Sequence, residues 1–572
     1  MEKEKQVPAI PYGISHFETI RTENYLYVDK THFIKEVEKT RILIHLRPRR
    51  FGKSLFLSML ESYYDVNQAD QFDELFKGLY IHEHPTKRRH QYYVLRFNFS
   101  GIQSVKESDL EAGFVGKVRK GAQQFIEKYD LNIEIPIHDD TASSILDALL
   151  TGFAGLKLAH QVYILIDEYD HFTNALLRGE ARDFLTVLTQ GGFVRSFYEV
   201  IKEYAELGIV DRFFATGVMS VSLDSMTSGF NVAKNTTTNR RFADMVGFTA
   251  DEVENILQQF TLSKDEQAEV YQVLKENYNG YLFSKEADSQ VFNSTLIMYY
   301  LDHYLENGIP PEELVDPNLN QSSVTIENIV GLKTKEENRE VIEQLIEEKQ
   351  VLGTLSTFID LKKKFDRHDF ITLLFNIGLL TIKQPGVVTT FEIPNKVMDN
   401  IYLAYLVDLT QQQSNYRIDL KKQELALVEM GQNGNIQLLT DLVVDFLTHT
   451  AVRNKQKFDE KYVKLVYMML LSTNNQFITY DEYPAGQGFI DLFIQKTPAS
   501  YATYEYAIEL KYLKRGETTE ATVEQVLKEG MAQMACYLHD ERIGERLNLK
   551  KLIIVFSGFE VVKMKEFEEN KT

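Results

Sequence analysis

The chain has one cysteine, Cys536, in 572 residues. That excludes an internal disulfide framework and any Cys-rich zinc site, and it suits a reducing compartment. The 13 histidines form no His-x-His or His-Glu-x-x-His cluster, so zinc catalysis has no support. No apolar run approaches the roughly 20 residues that a membrane span needs. The start, Met1 to Gln6, is charged and leads straight to Pro8 and Pro11, without the apolar centre of a signal peptide. A cytoplasmic protein with no membrane partner is the expectation. The formal net charge of −20 argues against a protein coated in nucleic acid but not against a local site.

The hydrophobic content of 44% and charged content of 26% are those of an ordinary globular chain, long enough for about three or four domains. Acid collects in the middle, as in the Glu-rich stretch Glu336 to Lys349. The neighbourhood of Arg41, Arg47, Arg49, Arg50 and Lys53 is basic.

Those basic residues flank the most telling stretch, Arg47-Pro48-Arg49-Arg50-Phe51-Gly52-Lys53-Ser54, which ends as a phosphate-binding loop ends but has Arg where such a loop normally starts with Gly. Gly52 lets backbone approach phosphate, Lys53 can reach β/γ oxygens, and the Ser54 hydroxyl can ligate Mg²⁺ at a helix N-terminus that attracts anions. Arg49, Arg50, Phe51 and Leu55 complete the expected nucleotide-binding set. Arg41 to Leu46 reads as the preceding strand and Leu55 to Tyr64 as the following helix. A basic turn before an amphipathic helix is the alternative.

A phosphate-binding loop needs an acidic partner at the end of a buried strand. Val162 to Ile166 is such an apolar run, followed by Asp167, which would hold the metal, and Glu168, which would orient or deprotonate the attacking water. A strand capped by an acidic turn is the plainer reading. Tyr93 to Phe99 and Arg212 to Thr216 supply further strands. Thr216 at the end of the second is a candidate γ-phosphate sensor, or only a strand cap. Arg240 and Arg241 could stabilise charge in cis or in a partner copy, although solvated arginines are more usual.

These pieces together resemble the AAA-ATPase-like family of bacterial and archaeal proteins. The resemblance rests on Ile20-Arg21, Tyr25 to Thr31, the Arg47 to Ser54 loop, Ile166 to Asp170, Thr216-Gly217-Val218, Gly247-Phe248-Thr249, Tyr278-Asn279-Gly280-Tyr281 and Phe292-Asn293-Ser294. It spans roughly the first half of the chain and implies that Arg47 is a normal variant of the loop, with ATP and Mg²⁺ as cofactors. The chain departs from the family at Ser220 to Lys234, where Thr227 to Val232 replaces a Phe-Ser-Gly-Leu-Asn-Asn type run.

Val253, Ile256, Leu257 and Phe260 are at helical spacing in a helical stretch from Asp251 to Leu301, expected to pack as a lid. Pro310, Pro311 and Pro317 mark a boundary. Leu373 to Ile382 and Phe391 to Val397 read as a helix and a short hairpin across Gly386, the outline of a winged helix, which binds DNA or merely connects domains; with no basic recognition helix evident, the connector is the expectation.

After about Asn433 a new domain begins, with helices at Leu438 to Leu447 and Phe458 to Leu471, a strand at Gln476 to Tyr480, a turn over Tyr483 to Gly488, and strands at Phe489 to Ile494 and Tyr506 to Lys511. Glu509 and Lys511 share a strand face because side chains alternate with period two. If Asp491 lies alongside, then Asp491, Glu509 and the Leu510 carbonyl can bind Mg²⁺, and Lys511 can orient the nucleophile or scissile group. Asp, spacer, Glu-x-Lys is the PD-(D/E)xK nuclease pattern, which an exposed hairpin face would also produce. The approach from Gly488 to Asp491, and Gln533 and Tyr537 one helical turn apart, resemble the nuclease domain that often follows this ATPase family, and the Gln-x-x-x-Tyr pair resembles that of RecB-like nucleases. Both side chains could point toward phosphate, and a helix packing on the sheet through Met531, Met534 and Tyr537 is the alternative. Glu482 and Glu460 are further carboxylate candidates. Phe489 stands where that family often has Arg.

The fold expected is therefore α/β and multidomain: a P-loop, ASCE/AAA-like ATPase core over 1–250, a helical lid over 251–315, a helical and winged-helix-like connector over 325–425, and an α/β PD-(D/E)xK nuclease-like domain over 433–572. The function expected is an ATP-controlled, Mg²⁺-dependent nuclease acting on nucleic acid, DNA ahead of RNA, with a homo-oligomer open. The rivals are a nucleotide-gated signalling or scaffold protein with a non-cleaving nuclease-like domain, and an ATPase acting on protein partners.

Overall fold

Continuous apolar runs ended by polar or glycine residues build a five-stranded parallel sheet in the computed structural model, which describes residues 7–102, 107–135, 141–171, 192–219, 233–316, 322–331, 335–357, 359, 365–414, 416–450, 459–514 and 516–568. Its strands are β1 (Ile42–Leu46), β2 (Tyr92–Asn98), β3 (Gln161–Asp167), β4 (Val210–Gly217) and the short β5 (Lys234–Asn235), in the order β2-β3-β4-β1-β5. β4 thus lies between the strand that feeds the phosphate-binding loop and the strand that ends at Asp167. The centre of β3, Val162 to Ile166, is wholly buried, as a parallel strand covered on both faces must be. Helix α1 (Lys53–Tyr64) starts from Gly52, whose φ of +88° suits glycine. Helices α2 (Glu107–Lys128), α3 (Ala142–Gly155) and α4 (Phe193–Glu206) accompany the crossovers. The loop at Thr227 to Val232, where the chain departs from the family it resembles, lies outside the described residues.

Downstream come α5 (Ala250–Leu257), α6 (Lys264–Tyr278) and α7 (Ser294–Asn307). The stretch Asp251 to Leu301 is thus helical with two breaks, Gln258 to Ser263 and Asn279 to Asn293, the second of which holds the Asn-Gly-Tyr and Phe-Asn motifs. Capping boxes at Thr249/Glu252 and Ser263/Glu266 fix where α5 and α6 begin. A three-stranded antiparallel sheet follows, β6 (Val351–Gly353), β7 (Thr381–Gln384) and β8 (Thr389–Glu392), in the order β6-β8-β7, with α8 (Arg367–Ile377) before the hairpin.

The second half contains α9 (Lys396–Ser414), α10 (Gln437–Thr450), α11 (Glu460–Leu471) and a five-stranded mixed sheet. Its strands are β9 (Phe477–Ala485), β10 (Gly488–Lys496), β11 (Glu505–Leu513), β12 (Leu549–Ser557) and β13 (Glu560–Glu566), in the order β13-β12-β11-β10-β9. Only β11 and β12 run parallel, joined through α12 (Glu520–Tyr537). One face of this sheet packs on α10 and α11 through Leu492, Ile508 and Ile554. The other meets α12 through Phe493, Ala507, Ile553, Met534 and Tyr537. Tyr483 and Pro484, expected in a turn, continue β9 to Ala485. β9 is an edge strand, where proline removes no ladder hydrogen bond that the sheet needs.

The chain folds as two compact units, Met1–Asp302 with Val324–Met398, and His303–Ser323 with Asp399–Thr572. Among the described residues no helix is long and apolar enough to cross a membrane.

Candidate active sites

Arg47 is only 1% exposed and does not face phosphate. Its guanidinium donates to the carbonyls of Leu46 (2.8 Å), Thr237 (2.7 Å), Phe242 (2.8 Å) and Ala243 (3.2 Å), and lies 4.2 Å from the centre of the Phe283 ring. Burial lowers its pKa to about 9, so it remains charged at neutral pH. A planar fork of donors is what four converging carbonyls require. The residue that looked like a defect in the motif therefore ties the start of the loop to a segment some 190 residues away.

The rest of the loop is held in the same manner. The Phe51 carbonyl accepts from Gly247 N (2.9 Å), and the Arg50 carbonyl accepts from Thr295 N (3.1 Å) and Ser294 Oγ (3.4 Å). The Phe51 ring is buried edge-on against Tyr281 and Phe283, so Phe51 anchors the loop. A Cβ on Gly378 would stand 2.9 Å from Pro48. The scattered motifs Gly247-Phe248-Thr249, Tyr278 to Tyr281 and Phe292 to Ser294 are thus one scaffold around one loop.

The loop opens on a cavity of about 360 Å³. Arg49, Arg50, Gly52, Lys53, Ser54, Leu55, Asp167 and Glu168 line it, and so do Pro11, Ile14, Leu26, Tyr27 and Val28 from the N-terminal segment. Lys53 donates from Nζ to the Pro48 carbonyl at 2.8 Å. Burial pulls its pKa down to about 8, against the opposing charges of Asp167, Asp170 and Glu168. Asp167 is hydrogen-bonded to the Ser54 side chain, its pKa is raised by burial, and its Oδ1 is buried without a hydrogen-bond partner. A hydroxyl beside a carboxylate with an unsatisfied oxygen fits a hard divalent cation that keeps its waters.

Glu168 has a φ of +53° and accepts from or shares a proton with His171 Nδ1 at 2.8 Å. That bond lowers the Glu168 pKa. Asp170 instead accepts from Val218 N and Met219 N and fastens the acidic turn to the end of β4. A Cβ on Gly217 would lie 2.1 Å from Asp170 Oδ1, which explains the glycine.

Thr216, expected to sense phosphate, is buried, and its hydroxyl donates to the His45 carbonyl on β1 at 3.0 Å. It locks two strands together and does not line the cavity. Arg240 and Arg241 are exposed and pair with Asp288 (2.7 Å) and Glu36 (3.9 Å).

The second site lies where β10 and β11 part. Their pairing ends at Leu492↔Ile508, and the Asp491 side chain takes over, accepting from Leu510 N at 2.8 Å. Glu509, 1% exposed, accepts from Lys511 Nζ at 2.7 Å, and Lys511 stands 3.9 Å from Asp491 Oδ2. Tyr537 on α12 donates its hydroxyl to Glu509 Oε2 at 3.3 Å. Burial first, then the charge of Asp491, raises the Glu509 pKa to about 7. The Asp491 pKa is also raised by burial, against the pull of Lys511.

Glu460, in the first turn of α11, has its pKa raised by burial and by Asp491, which places it at the same centre. Lys464, one turn on, is buried and pairs with Asp481, with Glu482 3.7 Å away. Glu482 itself is exposed, with a φ of +50°. Gln533 is exposed, unlike Tyr537. The two do not turn inward together, because Gly488 packs on the Tyr537 ring and draws only that residue beneath the β9–β10 hairpin.

Among the described residues no group of three or more His, Cys, Asp or Glu side chains is disposed to hold a metal. The Lys511 ammonium stands within 4 Å of both Asp491 and Glu509. Two carboxylates whose pKa values are raised chiefly by burial, and for Glu509 also by the charge of Asp491, nevertheless fit a cation that would favour their ionised forms.

Fold and sites together define a P-loop ATPase-like unit and a nuclease-like unit in one chain. Residues 11–227 match a family described as predicted AAA-ATPase, and residues 458–566 match the PD-(D/E)XK nuclease superfamily. The chain is also 30% identical over 318 residues to an uncharacterized protein in the vnfD 5'region of Azotobacter chroococcum mcd 1, an alignment covering 53% of this chain and 54% of the relative.

Proposed function

We propose that this protein is an ATP-dependent, Mg²⁺-requiring nuclease in which nucleotide binding or hydrolysis at the Arg47–Ser54 loop licenses phosphodiester cleavage at the Asp491–Lys511 centre. The observation that carries the reading is the grouping of Lys511 with Asp491 and Glu509 at 3.9 and 2.7 Å in a chain whose Arg47–Ser54 loop also lines a cavity with Asp167 and Glu168.

In the first site Lys53, Arg49 and Arg50 neutralise phosphate charge, Ser54 and Asp167 hold Mg²⁺, and Glu168, kept in place by His171, orients the attacking water and receives its proton. In the second, Asp491, Glu509 and the Leu510 carbonyl hold Mg²⁺, which supplies Lewis acidity and a lowered water pKa. Glu460 stands ready as a further carboxylate. Lys511 places its ammonium against the nucleophile or the phosphate, and Tyr537 fixes the Glu509 carboxyl. Gln533 is free to contact phosphate from the rim.

Helices α5 to α7 serve as a lid, and α8 with the β6-β8-β7 sheet serves as a winged-helix-like connector. The chain then passes into the second unit within α9. DNA is favoured over RNA, in a cytoplasmic setting, with self-assembly left to measurement. The ammonium already seated between the carboxylates favours one second reading, a nucleotide-gated scaffold that binds without cutting. Asp491→Asn and Lys511→Ala decide between them: both abolish Mg²⁺-dependent cleavage while ATP binding persists. Cleavage by either purified variant rejects the assignment of the centre.

A further inference from the structure

Of the 36 phenylalanines in the sequence, Phe489 alone among the described residues is exposed, at 59%. Single exposed apolar side chains need no explanation in general. This one differs in place and in support. It stands two residues before Asp491 on β10, which at about 3.3 Å per residue sets it roughly 7 Å along the strand from the carboxylate. That is about the length of one nucleotide of extended backbone.

The strand end that carries it is also fixed. Gly486 N donates to Asp540 Oδ2 at 2.9 Å, and Arg542 Nη2 donates to the Pro484 carbonyl at 3.2 Å. Gly486 and Gly488 lie against α12 so closely that an added Cβ would come within 3.0 Å of the Cys536 carbonyl and of the Tyr537 ring. The same Tyr537 holds Glu509. An apolar ring is thus held out to solvent on a hairpin latched to the helix that sets the catalytic carboxyl. The exposed Gln533 lies one turn before Tyr537 on that helix.

We propose that Phe489 is a stacking platform for one unpaired nucleobase next to the scissile phosphate, and that it makes the second site selective for single-stranded nucleic acid. A base within a duplex has both faces covered by its neighbours, whereas an unpaired base offers a face to an aromatic ring. Such stacking tolerates any base and involves no phosphate charge. The inference rests on the nuclease reading and adds the class of substrate.

The full-length protein without divalent cation, so that nothing is cut, is titrated into a short fluorescein-labelled single strand and, separately, a blunt duplex of the same sequence, with anisotropy as the readout. Phe489→Ala is expected to weaken single-strand binding about tenfold, with the duplex affinity and the salt dependence unchanged. Phe489→Trp is expected to keep the wild-type affinity. Unchanged single-strand binding by Phe489→Ala, an equal loss on the duplex, or a shallower salt dependence overturns the inference. If that happens while wild type still cuts and Lys511→Ala does not, the nuclease reading survives. Wild-type protein that binds neither strand nor duplex overturns both.

Discussion

Replacing Arg47 with Gly turns the loop into a more regular phosphate-binding motif, and the structure predicts that this change destroys it. The guanidinium makes four hydrogen bonds to buried carbonyls and covers the Phe283 ring. At roughly 1 kcal/mol net for each hydrogen bond and roughly 1 kcal/mol for the ring contact, the loss is about 5 kcal/mol. Water entering the vacated space recovers part of it, so about 3–5 kcal/mol is expected, within the range for breaking a buried charged network. Arg47→Lys recovers little, because one ammonium cannot reach four carbonyls spread around a planar fork. The assay is thermal unfolding of each variant, paired with ATP affinity by calorimetry. Both should fall, with at least a tenfold loss of affinity. An Arg47→Gly protein with unchanged unfolding and unchanged ATP affinity refutes the reasoning.

Four further outcomes follow from the local chemistry. The Lys53 pKa of about 8 means that the empty site loses its ammonium above that pH, so ATP binding must then take up a proton, and calorimetry should show weaker affinity at pH 9 than at pH 7. Glu509 releases its proton near pH 7, so Mg²⁺ affinity should rise with pH up to about 7 and level off above it. Tyr537→Phe removes a donor that favours the ionised carboxyl, so the same rise in a Mg²⁺ titration should move to higher pH. His171→Ala frees Glu168 and should lower kcat for ATP hydrolysis about tenfold with ATP affinity unchanged, while His171→Asn retains part of the rate; an equal loss in both would assign His171 a purely structural role.

Much of both sites could be read from local pattern. The strand, loop and helix around Gly52-Lys53-Ser54, the buried run ending in Asp167-Glu168, and the period-two pairing of Glu509 with Lys511 each depend on a few adjacent residues. What escaped depends on distant partners. The sequence displays an arginine in place of a glycine, but not the carbonyls of Thr237, Phe242 and Ala243 that receive it. The position of Thr216 at a strand end was legible, whereas the direction of its hydroxyl is decided by His45 on the neighbouring strand. Spacing put Gln533 and Tyr537 on one helix face; contact with Gly488 selected only Tyr537. The strands β12 and β13 were not anticipated, although Leu552 to Phe556 is a continuous apolar run of the kind that marked β3. His171 lay just past the acidic motif, and its spacing of three from Glu168 was the signal available.

The central claim is that one chain cuts nucleic acid at the Asp491–Lys511 centre under the control of nucleotide bound at the Arg47–Ser54 loop. Its most direct test is cleavage of labelled single-stranded and duplex DNA and RNA with Mg²⁺, with and without ATP, by wild type, Lys53→Ala and Lys511→Ala. The account predicts cutting by wild type at a rate that ATP changes, loss of the ATP effect in Lys53→Ala, and no cutting in Lys511→Ala. Cleavage that persists in Lys511→Ala, or a wild-type protein that cuts nothing in any condition, contradicts it.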